Sequence, residues 1–592
     1  MTEKGQKAVS YGLSDYSVIR KGGFAFVDKT QYIEKLEECG IWYAFAVRPR
    51  RFGKTLFAGM LKFYYDISEK DNFEAYFGGT YIGSRKTASA NSFRVLYLDF
   101  SGLASANLAE SLACRLRLAF HSFSRRYHDA ASFDLADSEC NDPAGLLFSF
   151  LSACADAYGK TLYVIIDEYD HLINELFSKD SSEAGRTAPF SSVVQDLYAV
   201  LKSAAGPDGA VARMFVTGVT PFPLYADASV FNIARDISND VRFAAMFGFT
   251  EKELKDLAAQ AGGSGCPGAG ESELAAHIEA LSGFCVFCRR SAERVVNPAA
   301  ALHCLDGLAQ GYAEPGELMD PAVLPSLAKI HAVLGRGRQG AENEILDRLI
   351  SGRRLSFAPA LSPADITSRE LSDGTLLSIM HYLGWLAWQP GKTGMQVPGR
   401  AMLRQFFRCC FEDAKALQGL FFSADEAETA SAFLRQGDPA SFVEKILEKM
   451  QEALQDSLRR QPSQQLAAGD IAVAMAMALT FSPDYRAVVE RRTDNPGSAC
   501  LFLQPAGGEG SSSDAYLLEV KLLSAKSAGA KADIALACAA AQRKIAGCST
   551  GTASTEDFSL KEQLEESRLK GQRLTGAACV VCGLKAVQAA VC

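Results

Sequence analysis

Length, composition and charge limit the classes of protein that this chain can be. It has 592 residues, of which 48% are hydrophobic and 22% charged, and its formal net charge is −8. Such a length accommodates about three or four domains. The acidic balance argues against a generally basic nucleic-acid coat but leaves a local basic groove open. No apolar run reaches the length of a membrane span, so we expect a cytoplasmic protein with reduced cysteines and no membrane contact.

The first predicted elements lead to a loop rich in arginine. Phe24 to Val27 predicts a short strand, and residues 28–36 predict the capped start of a helix. Ile41 to Val47 is an apolar run with the length of one buried strand. A turn that ends in Gly-Lys-Thr follows and opens a helical pattern; its residues are Arg48, Pro49, Arg50, Arg51, Phe52, Gly53, Lys54, Thr55 and Leu56.

Strand, tight loop, Gly-Lys-Thr and helix is the layout that binds the phosphates of a nucleotide, and residues 48–56 are called the phosphate loop below. Lys54 would reach the β- and γ-phosphates, and the Thr55 hydroxyl would ligate Mg²⁺. The usual pattern, G-x-x-x-x-G-K-[ST], has glycine where this chain has Arg48, which loses a residue that takes positive φ at low cost. The alternative is a basic turn that ends in Gly-Lys-Thr by coincidence.

Three further strands predict an α/β fold with a parallel sheet. The apolar strands lie at 93–100, 161–166 and 211–216, and helical patterns lie at 104–128, 143–158 and 192–204. The extra strand at 93–100 favours ATPases that place one strand between the phosphate-loop strand and an acidic strand.

The strand at 161–166 is that acidic strand, since it runs directly into Asp167 and Glu168. Both carboxylates are expected at the sheet edge that carries the phosphate loop. Asp167 would hold Mg²⁺ through water, and Glu168 would polarise the attacking water. The alternative is a solvated acidic turn. Thr217, at the end of the last strand, is a candidate γ-phosphate sensor or, equally, a strand-end cap.

The rest of the chain divides into a helical region and a second α/β unit. Phe249 to Leu254 predicts a helix with a capping box, and residues 376–400 predict a helix followed by two strands, Tyr382 to Trp388 being the first, as in a winged-helix-like module. Strands are expected at 499–503, 515–521 and 577–582, and a helix at 531–545. We therefore predict domains at 1–250, 251–465 and 466–592.

One pair of residues in the last domain has the chemistry of phosphodiester cleavage. Glu519 and Lys521 share one strand face because side chains alternate with period two. A carboxylate on Mg²⁺ beside a lysine suits a metal-dependent nuclease, although Glu and Lys also alternate on many exposed strands. The two Cys-x-x-Cys pairs, Cys285/Cys288 and Cys579/Cys582, lie far apart in sequence and favour core thiols over a zinc site.

These stretches together resemble a prokaryotic family that joins an AAA-like ATPase domain to a C-terminal domain of the PD-(D/E)XK nuclease superfamily. The resemblance rests on segments 26–30, 48–56, 166–170, 217–219, 232–233, 248–250 and 297–298, and more loosely on 382–386 and 397–398. The arginine-rich loop is the family's own form of the Walker A motif, and Asp167-Glu168 matches Walker B. The resemblance implies ATP and Mg²⁺ as ligands.

The resemblance also implies a nuclease site that is incomplete in this chain. Glu490, Glu519, Lys521 and Gln542 fall where the family's motifs would place them, but Cys500 occupies the position of the second metal-binding aspartate. A neutral thiol is a poor ligand for Mg²⁺. Asp494 would substitute only with a shifted turn. The missing aspartate therefore disfavours nuclease activity and favours a domain that survives as a binding module.

Three functions remain open from the sequence. The favoured one is an ATPase whose nucleotide state repositions the other modules. The second is an active ATP-coupled nuclease that cleaves DNA or RNA through the C-terminal domain. The third is a switch or scaffold that binds ATP without turnover. A homo-oligomer that supplies an arginine finger is compatible with each, and no arginine among Arg213, Arg235 and Arg242 is favoured for that role.

Overall fold

The protein was analysed as a computed structural model, which describes most of residues 7–523 together with 574–582 and 589–591. The longer stretches outside the described residues are 104–106, 128–141, 172–187, 222–232, 262–270, 313–317, 362–367, 389–393, 414–419, 459–466, 492–497, 506–513 and nearly all of 524–573. No helix among the described residues is long and apolar enough to cross a membrane.

A five-stranded sheet forms the centre of the N-terminal part. Its strands are β1 (Tyr43–Val47), β2 (Arg94–Asp99), β3 (Leu162–Asp167), β4 (Val211–Gly218) and β5 (Arg235–Asp236). They lie in the order β2-β3-β4-β1-β5, and each neighbouring pair is parallel. One strand, β4, separates β1 from β3, while β2 lies at the edge of the sheet. The predicted α/β class with a parallel sheet is confirmed for this part.

Both faces of this sheet are buried, as a parallel sheet requires. Phe45 and Val47 of β1 point into one hydrophobic cluster, and Ala44 and Ala46 point into another on the opposite face. This alternation explains why the strands are continuous apolar runs and not half-polar ones.

Helices cover the two faces of the sheet. They are α1 (Tyr16–Lys21), α2 (Gln31–Glu38), α3 (Lys54–Tyr65), α4 (Phe73–Phe77), α5 (Leu108–Tyr127), α6 (Pro143–Tyr158) and α7 (Ala188–Ala204). The strand predicted at Phe24 to Val27 is wrong, since these residues are irregular. The Phe26 backbone pairs instead with a side chain, because Gln260 Nε2 donates to its carbonyl at 3.1 Å and Gln260 Oε1 accepts from its N–H at 3.2 Å.

The middle region is mostly helical. Its helices are α8 (Glu251–Gln260), α9 (Glu271–Leu281), α10 (Pro298–Ala309), α11 (Leu327–Leu334), α12 (Ala341–Ile350), α13 (Asp373–Tyr382), α14 (Gly399–Asp413), α15 (Ala424–Arg435) and α16 (Pro439–Leu458). The capping box predicted at the start of α8 is present, with Thr250 and Glu253 bonded reciprocally.

The strand predicted from Tyr382 to Trp388 is largely wrong. Helix α13 runs to Tyr382, and a turn at Gly384, whose φ is 83°, separates it from the two-residue strand β6 (Ala387–Trp388). β6 pairs antiparallel with β7 (Met395–Gln396). A helix followed by a small hairpin is what remains of the predicted winged-helix-like module.

A second sheet forms the C-terminal part. Its strands are β8 (Tyr485–Arg491), β9 (Ser498–Pro505), β10 (Ala515–Leu523), β11 (Leu574–Cys582) and β12 (Ala589–Val591), which lie in this order in the sheet. Helix α17 (Ala468–Ala478) packs on β8, β9 and β10. Only the β10–β11 pair is parallel. The predicted α/β composition is present here, whereas a PD-(D/E)XK fold, the helix expected at 531–545 and the three domain boundaries stay predictions.

Candidate functional site

The carboxyl ends of β1, β3 and β4 meet at one place. The Arg48 N–H, just after β1, donates to the Gly218 carbonyl at 3.1 Å, and the Tyr169 N–H, just after β3, donates to the Thr217 carbonyl at 3.2 Å. Each of these strands therefore delivers its following loop to the same edge of the sheet, where parallel α/β proteins bind their ligands.

The phosphate loop is a tight turn between β1 and α3. Arg51 and Gly53 take positive φ, at 65° and 89°, which turns the chain into the helix. A Cβ built on Gly53 would meet no atom within 4 Å, so glycine serves the backbone conformation there. Lys54, the first residue of α3, is 7% exposed, and its Nζ donates to the Pro49 carbonyl at 2.9 Å. The lysine thus folds back across its own loop.

The acidic strand lies beside this lysine. Burial lowers the pKa of Lys54, while the charges of Asp167, Asp170 and Glu168 oppose that change. Burial likewise raises the pKa of Asp167, and the neighbouring Thr55 hydroxyl and Lys54 ammonium oppose the rise. The structure therefore brings together Lys54, Thr55, Asp167 and Glu168, which the sequence singled out from two stretches more than a hundred residues apart.

Glu168 is held differently from Asp167. Its backbone takes φ = 51°, uncommon for a residue with a side chain, and its N–H donates to Asp167 Oδ1 at 3.0 Å. Its Oε2 lies 3.4 Å from His171 Nδ1, and its side chain is 42% exposed. Burial and then the charge of Asp167 raise the pKa of Glu168. A partly exposed carboxylate with a raised pKa, carried on a backbone of uncommon conformation, suits proton transfer.

Two neighbours of the acidic strand were not identified as site residues from the sequence. Tyr97 of β2 donates from its hydroxyl to Asp167 Oδ2 at 3.1 Å. Asp170, 1% exposed, accepts hydrogen bonds from the Val219 N–H at 3.0 Å and from both the N–H and the hydroxyl of Thr220. Asp170 therefore ties the end of β3 to the end of β4. Its place in an Asp-Glu-Tyr-Asp run was the available signal, but no local pattern identifies its partners.

Two predicted ligands are committed to other contacts. Arg48 was assigned to phosphate binding, but its side chain is buried and its Nη1 donates to the carbonyls of Val47 at 2.9 Å and Ser238 at 2.8 Å. Its guanidinium lies 5.2 Å from the centroid of the Phe287 ring, and burial lowers its pKa to about 10. Arg48 thus points into the protein, where it fastens the loop to the segments around 238 and 287.

Thr217 is completely buried, and its hydroxyl donates to the Ala46 carbonyl of β1 at 2.9 Å. This is the strand-end contact that the sequence left open as the alternative to a γ-phosphate sensor. A hydroxyl used in this way is not directed at a ligand.

The other side chains of the phosphate loop divide by exposure. Phe52 is buried edge-on against Phe287, with ring centroids 5.1 Å apart, and Leu56 is half-buried. Arg50 is exposed, and Arg51 is 44% exposed with its Nη1 4.0 Å from Asp320 Oδ2. Arg50 and Arg51 are therefore the loop's arginines that solvent, and hence a ligand, can reach.

In the C-terminal sheet, Glu490, Cys500 and Glu519 lie directly opposite one another on β8, β9 and β10. Directly paired residues of antiparallel strands share a face, so the three lie side by side. Ser498 donates to Glu519 Oε1 at 2.9 Å, and Glu519 is buried. Lys521 lies on β10 opposite Ser498. Gln542 and Asp494 lie outside the described residues.

Within the described part of the chain, no group of three or more His, Cys, Asp or Glu side chains could hold a metal ion. Cys285 and Cys288 are buried free thiols, and burial raises the pKa of Cys285 to about 12. These two cysteines therefore lie in the core, as expected; the side chains of Cys579 and Cys582 lie outside the described part.

Comparison with known proteins relates the N-terminal part of the chain to a family of predicted ATPases. Residues 10–226 match the model of a family described as "Predicted AAA-ATPase". An Azotobacter chroococcum mcd 1 protein, described as "Uncharacterized protein in vnfD 5'region", is 26% identical over 258 residues. That alignment covers 42% of this chain and 44% of the relative, so the chain spans less than half of the relative's length. The segment 10–226, which contains the phosphate loop and the acidic strand, is therefore similar to AAA-like ATPases, and this similarity indicates ATP binding.

Proposed function

We propose that the chain binds ATP with Mg²⁺ between the phosphate loop and the acidic strand and hydrolyses it. The observation that carries this proposal is that β4 joins the ends of β1 and β3, because the Arg48 N–H donates to the Gly218 carbonyl at 3.1 Å and the Tyr169 N–H to the Thr217 carbonyl at 3.2 Å. Two sequence motifs with complementary expected roles thus lie at the same carboxyl edge of a parallel sheet, which supports the proposal.

The loop supplies the contacts for the phosphates. The N–H groups at the start of α3 face the anion, and Lys54 provides a buried positive charge once it exchanges the Pro49 carbonyl for a phosphate oxygen. Arg50 and Arg51 add charge from the open side of the loop. Arg48 has no part in this contact, since it fixes the loop from behind.

Thr55 and Asp167 fit Mg²⁺, because a hydroxyl and a carboxylate are hard oxygen donors, and Mg²⁺ commonly completes its shell with water and phosphate oxygens. The metal would neutralise charge on the transferred phosphoryl group. Tyr97 orients Asp167 through its hydroxyl. Glu168 acts as the base that orients and deprotonates water, and its raised pKa brings it closer to the working pH.

The C-terminal sheet is the module that the nucleotide state would act on, and we propose that it binds nucleic acid. The shared face of Glu490, Cys500 and Glu519, of which Cys500 and Glu519 are buried, supports a nuclease-like arrangement of side chains within this sheet. Active cleavage is the second candidate function, and Cys500 disfavours it with Mg²⁺, because thiol sulphur is a soft ligand.

The test is equilibrium binding of ATP with Mg²⁺, together with turnover, for wild type and E168Q. E168Q should bind ATP as wild type does and lose most of its turnover, with or without DNA and RNA. Failure of the wild-type protein to bind ATP would refute the proposal. Stoichiometric binding without turnover in wild type would favour the non-hydrolysing switch, and cleavage of DNA or RNA that is lost in E519A would favour the nuclease.

A further inference from the structure

The phosphate loop is held by parts of the chain that lie beyond the segment matching the ATPase family, which is residues 10–226. The Arg50 carbonyl accepts a hydrogen bond from Asn297 Nδ2 at 3.2 Å. The Phe52 carbonyl accepts from the Gly248 N–H at 3.0 Å. The conformation of the loop therefore depends on residues that a comparison of the ATPase segment alone does not include.

Asn297 uses both ends of its side-chain amide. It is 8% exposed and forms the N-cap of α10, where its Oδ1 accepts from the N–H groups of Ala299 at 3.0 Å and Ala300 at 3.4 Å. These bonds identify the oxygen, so the NH₂ group is the end that faces the Arg50 carbonyl. Serine or aspartate would cap the helix as well as asparagine does. The cap therefore accounts for the oxygen of this side chain, and the contact with the loop accounts for its NH₂ group.

The bond from Asn297 fixes the direction of one N–H group in the loop. In a planar trans peptide the C=O and N–H bonds point in opposite directions. Because the Arg50 carbonyl faces Asn297, the Arg51 N–H of the same peptide points away from Asn297. None of the residues that the structure describes accepts a hydrogen bond from this N–H. An N–H group left open in a turn is the kind of donor that binds a phosphate.

The loop needs this support because Arg51 has an unfavourable backbone conformation. Its φ is 65°, and such a conformation persists in a residue with a side chain only when the surrounding contacts determine it. A second contact comes from Asp320, whose Oδ2 lies 4.0 Å from Arg51 Nη1 and whose Oδ1 accepts from the Ala322 N–H at 2.8 Å. The middle region thus holds the loop through the peptide before Arg51 and through the Arg51 side chain.

We propose that Asn297 is a positioning residue for nucleotide binding, because it holds the Arg50–Arg51 peptide with its N–H toward the phosphates. This inference rests on the proposed function, since it names a residue of the middle region that shapes the same site. Asn297 itself does not touch the nucleotide and acts through the backbone of the loop. Because the same side chain caps α10, a phosphate bound by the loop is coupled to the start of a helix in the middle region.

The test is calorimetric binding of ATP and inorganic tripolyphosphate to the full chain, for wild type, N297S, K54A and the control S423A. In N297S the serine keeps the cap of α10 but has no NH₂ group for the Arg50 carbonyl. N297S should therefore keep the thermal midpoint of wild type and bind both ligands about threefold to tenfold more weakly, as expected for losing one hydrogen bond. S423A removes the cap of α15, which packs on α16 and α17, so it should lower the thermal midpoint and bind both ligands as wild type does.

The outcomes separate this inference from the proposal on which it rests. If K54A loses binding while N297S binds as wild type does, Asn297 is only a cap, and the inference is overturned while the proposed ATP site stands. Equal weakening in S423A would attribute the loss to stability and also overturn the inference. If wild type and K54A bind alike, the proposed site itself is wrong. If N297S does not fold, the wild-type protein decides: tripolyphosphate should slow hydrogen–deuterium exchange of amides 299–302, and unchanged exchange there overturns the inference.

Discussion

Asp170 is expected to hold the ends of β3 and β4 together, and removing its carboxylate tests that role. D170A removes the acceptor of two backbone N–H groups and one hydroxyl, on Val219 and Thr220, all of which are buried. A buried donor that loses its partner costs about 1–3 kcal/mol. With the lower part of that range for each of the three donors, the local loss should be about 3–5 kcal/mol in total. This is a large fraction of the free energy of unfolding of an ordinary domain, which is about 5–15 kcal/mol.

Hydrogen–deuterium exchange measures this loss where it occurs. In D170A, amides of segments 162–170 and 211–221 should exchange roughly 100- to several-thousand-fold faster, which corresponds to the lost free energy at 1.4 kcal/mol per factor of ten. The exposed Asp156 on α6 provides the control D156A, which should leave both segments unchanged. Unchanged exchange in D170A would refute the argument that these buried bonds position the acidic strand.

Three further predictions concern the loop and the base. T217V should lower the free energy of unfolding by about 1 kcal/mol, through loss of its bond to Ala46, and leave ATP turnover unchanged; a strong loss of turnover would restore the sensor role. G384A should weaken ATP binding, because the new Cβ would lie 2.9 Å from the Pro49 side chain in the phosphate loop, at a φ of 83°. The control G437A has a similar φ of 77° but no atom within 4 Å, so it should suffer only backbone strain. Equal ATP affinity in the two variants would contradict the argument that Gly384 positions the loop through Pro49. Turnover should fall as the pH drops through the pKa of Glu168, which is raised above its ordinary 4.5, because a base must be deprotonated to act. The same shift gives the opposite pH dependence for stability. The contribution of this carboxyl to the free energy of unfolding is present at low pH and lost as the pH rises through the raised pKa. The measurement is the pH profile of turnover in wild type and in H171N, because His171 lies beside Glu168, as do the charges of Asp167, Lys54 and Arg50. If the fall in turnover at low pH disappears in H171N, that fall belongs to the histidine and not to Glu168.

The sheet could be predicted because its information is local. Runs such as 43–47 and 162–167 are short, apolar and bounded by turn residues. This local pattern is enough to predict a strand that is buried on both faces. Local signals also identified the Thr250 capping box, whose partner lies three residues away. The wrong strand at 24–27 shows the limit, because its backbone is satisfied by Gln260 from a distant helix.

The composition of the site was predictable, but the direction of its side chains was not. Gly53, Lys54 and Asp167 lie at strand ends, where backbone geometry alone predicts their positions. Arg48 points inward because carbonyls at 47 and 238 and the Phe287 ring receive it, and two of these belong to segments distant in sequence. Contacts of this length leave no periodic trace in the sequence.

The C-terminal sheet shows the same division. The sequence correctly predicted that Glu519 and Lys521 belong to one strand, where side chains alternate with period two. The pairing of β10 with β9 then brings Cys500 opposite Glu519. That Glu490 and Glu519 flank one cysteine depends on how three strands pair, which alternation alone does not specify.

The central claim is that the phosphate loop and the acidic strand act on one triphosphate. The most direct measurement is the initial rate of Mg²⁺-dependent ATP hydrolysis by wild type and K54A at saturating ATP. Because K54A loses a buried charge that stabilises the transferred phosphoryl group, its hydrolysis rate should be reduced at least about 100-fold. Hydrolysis by K54A at the wild-type rate would contradict the account.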